Sequence, residues 1–175
     1  MSKLALMGQA QGLLDEVVAH YEDAGVALPE RRYVAPGEPG STVWDCEQVT
    51  VTLASVGTNT STAQTVAMPM VGTPAGVGLV RFATWAIQVV RCSPTFEGDG
   101  DPPDVTELLA AAAAGLDDAG HMSQLLVEVA SLPMGSRSWL PIGSTINAGA
   151  VAPIGPEGGF QAVEATVAVS IMLTE

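Results

Sequence analysis

The stretch from Gly78 to Cys92 constrains the fold of this chain more than any other. Val80, Phe82, Thr84 and Ala86 fall on one face of an extended chain, and Leu79, Trp85, Ile87 and Val89 on the other. Both faces are largely apolar, which predicts a central strand covered on two sides. Such a strand needs neighbours, and two segments can supply them. Glu47 to Ser55 alternates Val49, Val51 and Leu53 with Thr50, Thr52 and Ala54 and is rich in β-branched residues. Phe160 to Leu173 puts Val163, Ala165, Val167, Val169, Ile171 and Leu173 on one side. Glu164, Thr166, Ala168 and Ser170 take the other, as in a half-buried strand.

Two segments carry the helical period instead. From Leu4 to about Ala24, Leu6, Ala10, Leu13, Leu14, Val17, Val18 and Tyr21 recur three and four residues apart, and Gly25 is a natural stop. Asp104 is a good N-cap, with Glu107 at capping-box spacing. The helix it opens runs to about Ser131 on a stripe of Leu108, Leu109, Ala112, Leu116, Ala119, Met122, Leu126 and Val129. Gly115 and Gly120 weaken it by about 1 kcal/mol each relative to Ala, which allows a kink near Gly120. The rest reads as connections. Pro29 to Ser41, with three prolines beside Arg31-Arg32, is an extended connector. Val56 to Val77 is a long aperiodic loop, and Leu132 to Gly159 is Pro/Gly-rich, with Trp139 and Ile142 as anchors and a short strand within Thr145 to Val151. With 175 residues, the chain is one domain spanning 1–175, with assembly loops at 56–77 and 132–159.

Charge limits what this chain binds. Nineteen carboxylates against six Lys and Arg leave a net charge of -13. Solubility alone accounts for such a surface, but it also disfavours nucleic-acid binding, which gains from cations set against phosphates. An acidic surface lets DNA slide past. The composition is 47% hydrophobic, with a mean hydropathy of +0.33, which points to apolar surface shared with a partner, most simply another copy. No apolar run reaches the roughly 18 residues of a membrane span. The N-terminus lacks a signal-peptide core, so the chain is expected in the cytoplasm when made. Cys46 and Cys92 each sit at the end of a predicted strand and can be antiparallel neighbours; two reduced, buried thiols are the plainer expectation.

The parts for catalysis do not assemble in the sequence. His20 and His121 lie on different helices, as packing or surface residues without metal-pair spacing. Ser136 and Ser138 lack the glycines of a nucleophile elbow, and there is no phosphate-binding Gly-x-x-x-x-Gly-Lys loop. Asp99, Asp101 and Asp104 lack the glycine and distant glutamate of a calcium loop. Gly155-Pro156-Glu157-Gly158-Gly159 precedes a strand, so it reads as a tight turn. No catalytic, cofactor-binding or metal-binding residue is therefore assigned, and a non-enzymatic role is expected.

Three ordered blocks carry a resemblance. They are Trp44-Asp45-Cys46-Glu47-Gln48-Val49-Thr50-Val51; Arg91-Cys92-Ser93-Pro94-Thr95 with Asp101-Pro102-Pro103 and the alanine-rich helix to Glu128; and Gly155-Pro156-Glu157-Gly158-Gly159-Phe160. In this order and spacing the chain resembles tail terminator (head-to-tail connector) proteins of siphophages infecting actinobacteria, over about residues 10 to 173. It departs at Phe160, where a smaller residue or cysteine is expected, and in the Thr-rich Val56–Val77 loop. The resemblance implies an α+β domain: an antiparallel sheet, here of about four strands, flanked by an N-terminal helix and a long central helix. It implies a homohexameric ring that caps the head-proximal end of the tail tube, ends tube polymerisation and offers a surface to the neck. Its partners would be the tail tube protein and a stopper or adaptor, in the virion, with genomic DNA passing through the lumen unbound and without cofactor or membrane. Another neck component, a stopper or head-tail adaptor, is the nearest alternative, and a small cytoplasmic ligand-binding enzyme a more distant one. Both long loops are expected to meet neighbours, and Arg81 or Arg91, on one strand face, to pair with a carboxylate across a subunit boundary.

Overall fold

The computed structural model describes residues 3–35, 46–58, 81–95, 102–131, 136–140, 144–157 and 159–171. Their order is α1 (Lys3–Asp23), β1 (Arg31–Ala35), β2 (Gln48–Thr58), β3 (Arg81–Cys92), α2 (Val105–Ala130), β4 (Ile146–Glu157) and β5 (Phe160–Ile171). The strands form one sheet in the order β1-β2-β3-β5-β4. β1 runs parallel to β2, and every other pairing is antiparallel. The α+β class holds, with two differences in the sheet: it has five strands and is mixed.

β3 sits in the middle, as its two apolar faces predict, and every residue from Trp85 to Val90 is buried. Its odd-numbered side chains share one core with Val49 and Val51 of β2 and Val163, Ala165, Val167 and Val169 of β5. Both helices lie on that face. α1 covers β1 and β2 with Ala10, Leu13, Leu14, Val17 and Tyr21, while α2 covers β4 and β5. Full burial of a Leu or Val side chain contributes about 1.5–3 kcal/mol, so this face holds most of the stabilising area. The opposite face is buried too but more polar, with Gln48, Thr50, Thr52, Gln88 and Ser170. Gln88 Nε2 there donates to Glu164 at 2.8 Å.

The unexpected strand, β1, falls in the predicted connector. Arg31-Arg32-Tyr33-Val34-Ala35 shows little alternation, and what makes it a strand is the parallel pairing Arg31↔Gln48 to Ala35↔Thr52. The rest of that connector, from 36 on, lies outside the described residues. β4 is likewise far longer than the short strand expected within Thr145–Val151. Pro153 and Pro156 read as strand breakers, but β4 is an edge strand, where a missing N–H can face solvent. Its register shifts between Ala148 and Val151 and again between Ile154 and Glu157 absorb the irregularity. So the segment read as irregular from Leu132 to Gly159 is half strand. β2 continues to Thr58, which takes the first residues of the expected 56–77 loop; the remainder lies outside the described residues.

α2 is one continuous helix through Gly115 and Gly120, so neither glycine breaks it. Asp104 caps it by accepting the Thr106 N–H at 2.6 Å, which holds the exposed carboxyl below its usual range. Trp139 anchors against α1, as expected: a Cβ at Gly12 would overlap its side chain, so only glycine admits this approach. Ile142 lies outside the described residues.

Candidate functional site

Two features stand out, a charged hub under the helices and a bare apolar flank on α2. The hub begins with Arg91, the penultimate residue of β3. Its Nε donates to Asp118 Oδ2 at 2.7 Å and its Nη2 to Asp118 Oδ1 at 2.9 Å, a bidentate pair reaching from sheet to α2. The same Nη2 donates to the Ala27 carbonyl at 2.9 Å. Tyr21 of α1 completes it, its hydroxyl donating to Asp118 Oδ1 at 3.2 Å. Asp118 is only 2% exposed, so its charge depends on these partners. Its hydrogen bond holds the Arg91 guanidinium protonated above its ordinary range. Burial first, then the Asp118 charge, pushes the Tyr21 phenol well up. Arg91 thus pairs inside its own chain, so it needs no carboxylate from a neighbouring subunit to satisfy its charge. The Arg81 side chain is not described.

A disulfide between Cys46 and Cys92 borders the hub, in place of the two reduced thiols expected. The strand-end positions are neighbours, as the sequence allowed. Closing a loop with a sequence separation of 46 residues restricts the unfolded chain by about 4 kcal/mol in the chain-entropy account. Glu47 takes a positive φ of 59°, and its Oε1 accepts the Cys92 N–H at 3.1 Å. This left-handed turn costs about 1 kcal/mol in a non-glycine residue, and the carboxylate contact helps offset it.

The three blocks of the resemblance meet here. Cys46 of the first is bonded to Cys92 of the second. Ser93 N–H of the second donates to the Gly159 carbonyl of the third at 2.8 Å. Gly159, at φ 87°, turns β4 into β5, and Phe160 stands opposite Cys92 in the ladder. The departure at Phe160 thus falls across from a cysteine whose sulfur is bonded elsewhere. Trp44, Asp45 and Asp101 lie outside the described residues.

His20 and His121, far apart in sequence, come together between the helices with ring centres 5.6 Å apart. His20 Nδ1 lies 3.0 Å from Glu128 Oε2. His20 borders a cleft of about 310 Å³ lined also by Glu16, Asp23, Gln124, Glu128 and Arg137. Glu16 is taken by Arg137 and by Trp139 Nε1 (3.3 Å), and Glu128 by His20 and Gln124. These contacts join α1 to α2 and to the segment after it. Among the described residues, no three His, Cys, Asp or Glu side chains are grouped to hold a metal.

The bare flank lies on the first half of α2. The line of α2 that faces the sheet runs through Ala111, Gly115, Asp118, Met122, Leu125 and Val129. Gln161 of β5 donates to the Ala111 carbonyl and lies 3.4 Å from where a Gly115 Cβ would be. Since that near line is Ala and Gly in the first half, the leucines point away. Val105 (69% exposed), Leu109 (66%) and Leu116 (73%) share one outer stripe, with Leu108 at its edge. The predicted stripe is therefore split. Met122, Leu126 and Val129 are buried, while Leu108, Leu109, Ala112 and Leu116 face out. Nearby β4 exposes Ala148 to Ala150 and Ala152 to Pro156, without a charge among them.

No family model matches the chain, and no curated protein is significantly similar to it. No described helix is long and apolar enough to cross a membrane.

Proposed function

We propose that this chain is a structural virion protein of the siphophage tail terminator type. In this reading six copies form a ring on the head-proximal end of the tail tube. The ring ends tube polymerisation and joins the tail to the neck, and DNA passes through its lumen.

The observation that carries this reading is the convergence of the three resemblance blocks at one end of the sheet. Segments separated by tens of residues are joined there by the Cys46–Cys92 disulfide and the Ser93–Gly159 hydrogen bond. The surface supports it as well. A bare apolar helix flank on a chain of net charge -13 is suited to repeated subunit contact, and the remaining acidic surface to passing DNA without holding it.

Native mass spectrometry of the purified chain, alone and with tail tubes, tests the ring; a six-fold species is expected. Phage lacking the protein should build tubes of altered length that fail to join heads. Should the chain remain monomeric with tubes present, and tube length stay the same without it, the reading is wrong. Rings that bind heads but leave tube length unchanged would point to a stopper or adaptor. The loop prediction is tested alongside: deleting Thr58–Thr73 should leave a folded monomer with impaired assembly, measured by circular dichroism and native mass spectrometry.

A further inference from the structure

We infer that the Cys46–Cys92 disulfide is a redox latch: small thiols exchange with it, and opening it frees the entry to β2 while the domain stays folded.

The bond lies outside the core. Neither cysteine belongs to the buried cluster that joins α1, α2 and the sheet. Cys92 is exposed, and Cys46 is half-buried and lines a cleft of about 370 Å³ together with Arg31 and Glu47. Disulfides open to solvent are the readily reduced ones, because a thiolate can reach a sulfur; buried structural bridges resist. A small thiolate attacks one sulfur and releases the other, giving a mixed disulfide, and a second small thiol then displaces the first. Two small thiols become one small disulfide, and their hydrogens end on Cys46 and Cys92. These are the only cysteines in the chain, so no competing internal pairing exists.

What the bond holds is local. β2 and β3 are paired without it, from Gln48↔Val90 to Thr58↔Arg81. Arg91, the neighbour of Cys92, is held separately by Asp118 and the Ala27 carbonyl. The strained residue at this end is Glu47, which has a φ of 59° and whose Oε1 accepts the Cys92 N–H at 3.1 Å. Once the sulfurs part, this left-handed turn has no covalent tie to β3. It relaxes to ordinary backbone and takes the carboxylate off the Cys92 N–H. In the tail reading the chain is made among cellular thiols and later leaves the cell, so the latch is open during assembly and closed in the released particle. That timing rests on the tail reading; the exchange and its local effect do not.

The experiment equilibrates the purified full chain with mixtures of reduced and oxidised glutathione. Alkylation and intact mass give the oxidised fraction; circular dichroism and amide hydrogen exchange by NMR give the structural response. The disulfide should open and re-form reversibly within these mixtures, with circular dichroism unchanged. On opening, the Cys92 amide should exchange roughly fivefold faster as it loses its acceptor. The neighbouring Ser93 amide, held by the Gly159 carbonyl at 2.8 Å, should not change. Cys46→Ser with Cys92→Ser should fold and reproduce the reduced pattern with no thiol present. A bond that stays closed in excess reduced glutathione, loss of the fold in the reduced chain or the double variant, or the same response at Cys92 and Ser93 would overturn the inference. Free thiols at both positions in released particles would remove the timing and leave the latch, whereas particles without the chain would remove the tail reading and leave the latch.

Discussion

The two halves of α2 have similar apolar content and opposite fates. From Val105 to Ala110 every residue is exposed, and no large apolar residue of the first half is buried. From Asp118 to Val129 the helix buries Met122, Leu125, Leu126 and Val129, together with a carboxylate. Hydropathy does not separate them. What differs is the opposing surface. The second half meets α1 through Tyr21 and His20 and the sheet through Arg91, while the first half is hydrogen-bonded to the sheet by Gln161. An apolar helix face is a core only where another element covers it; elsewhere it is surface open to a partner.

The largest expected effect comes from the carboxylate in the covered half. Asp118→Ala leaves the Arg91 guanidinium, only 18% exposed, without its bidentate acceptor, and should destabilise the chain by about 3–5 kcal/mol in urea unfolding. Next is a matched pair on one helix. Leu126→Ala should cost about 3 kcal/mol through the cavity it opens. Leu116→Ala should change monomer stability by less than about 0.5 kcal/mol and act on self-association instead. Equal losses at the two positions would erase the contrast between the halves.

The covered half should also respond to alkali. The folded-state pKa of Tyr21 is raised, so its contribution is complete below the ordinary phenol range near pH 10 and is lost as the pH rises beyond it. In a Tyr33→Phe background, absorbance at 295 nm should show no phenolate until circular dichroism reports unfolding; separate transitions would show that Asp118 and burial do not hold the proton. The smallest effect belongs to the exposed half. The Asp104 pKa is lowered, so its cap is in place above the ordinary carboxylate range, near pH 4, and is lost as the pH falls through the lower folded value. Asp104→Ala should lower the helical signal slightly at neutral pH, and the difference from wild type should vanish in acid.

Much of the fold was legible because its signals are local. The two apolar faces of β3, the alternation of β5, the stripe of α1 and the cap at Asp104 each depend on a few neighbouring residues, and each lies where the periodicity put it. The resemblance blocks could also be read in order along the chain, but not their meeting at one end of the sheet. Little of the candidate surface was legible. Leu109 and Leu126 belong to one predicted stripe, and only the lateral extent of the sheet and the place of α1 decide which is core. β1 is a strand because β2 supplies a partner, and β4 tolerates its prolines because it is an edge. Asp118 is an ordinary helical carboxylate until Arg91, 27 residues away in sequence, reaches it. Periodicity sets which side of an element is apolar; which stretch of that side is covered depends on elements brought together by long-range pairing, and tertiary structure alone decides it.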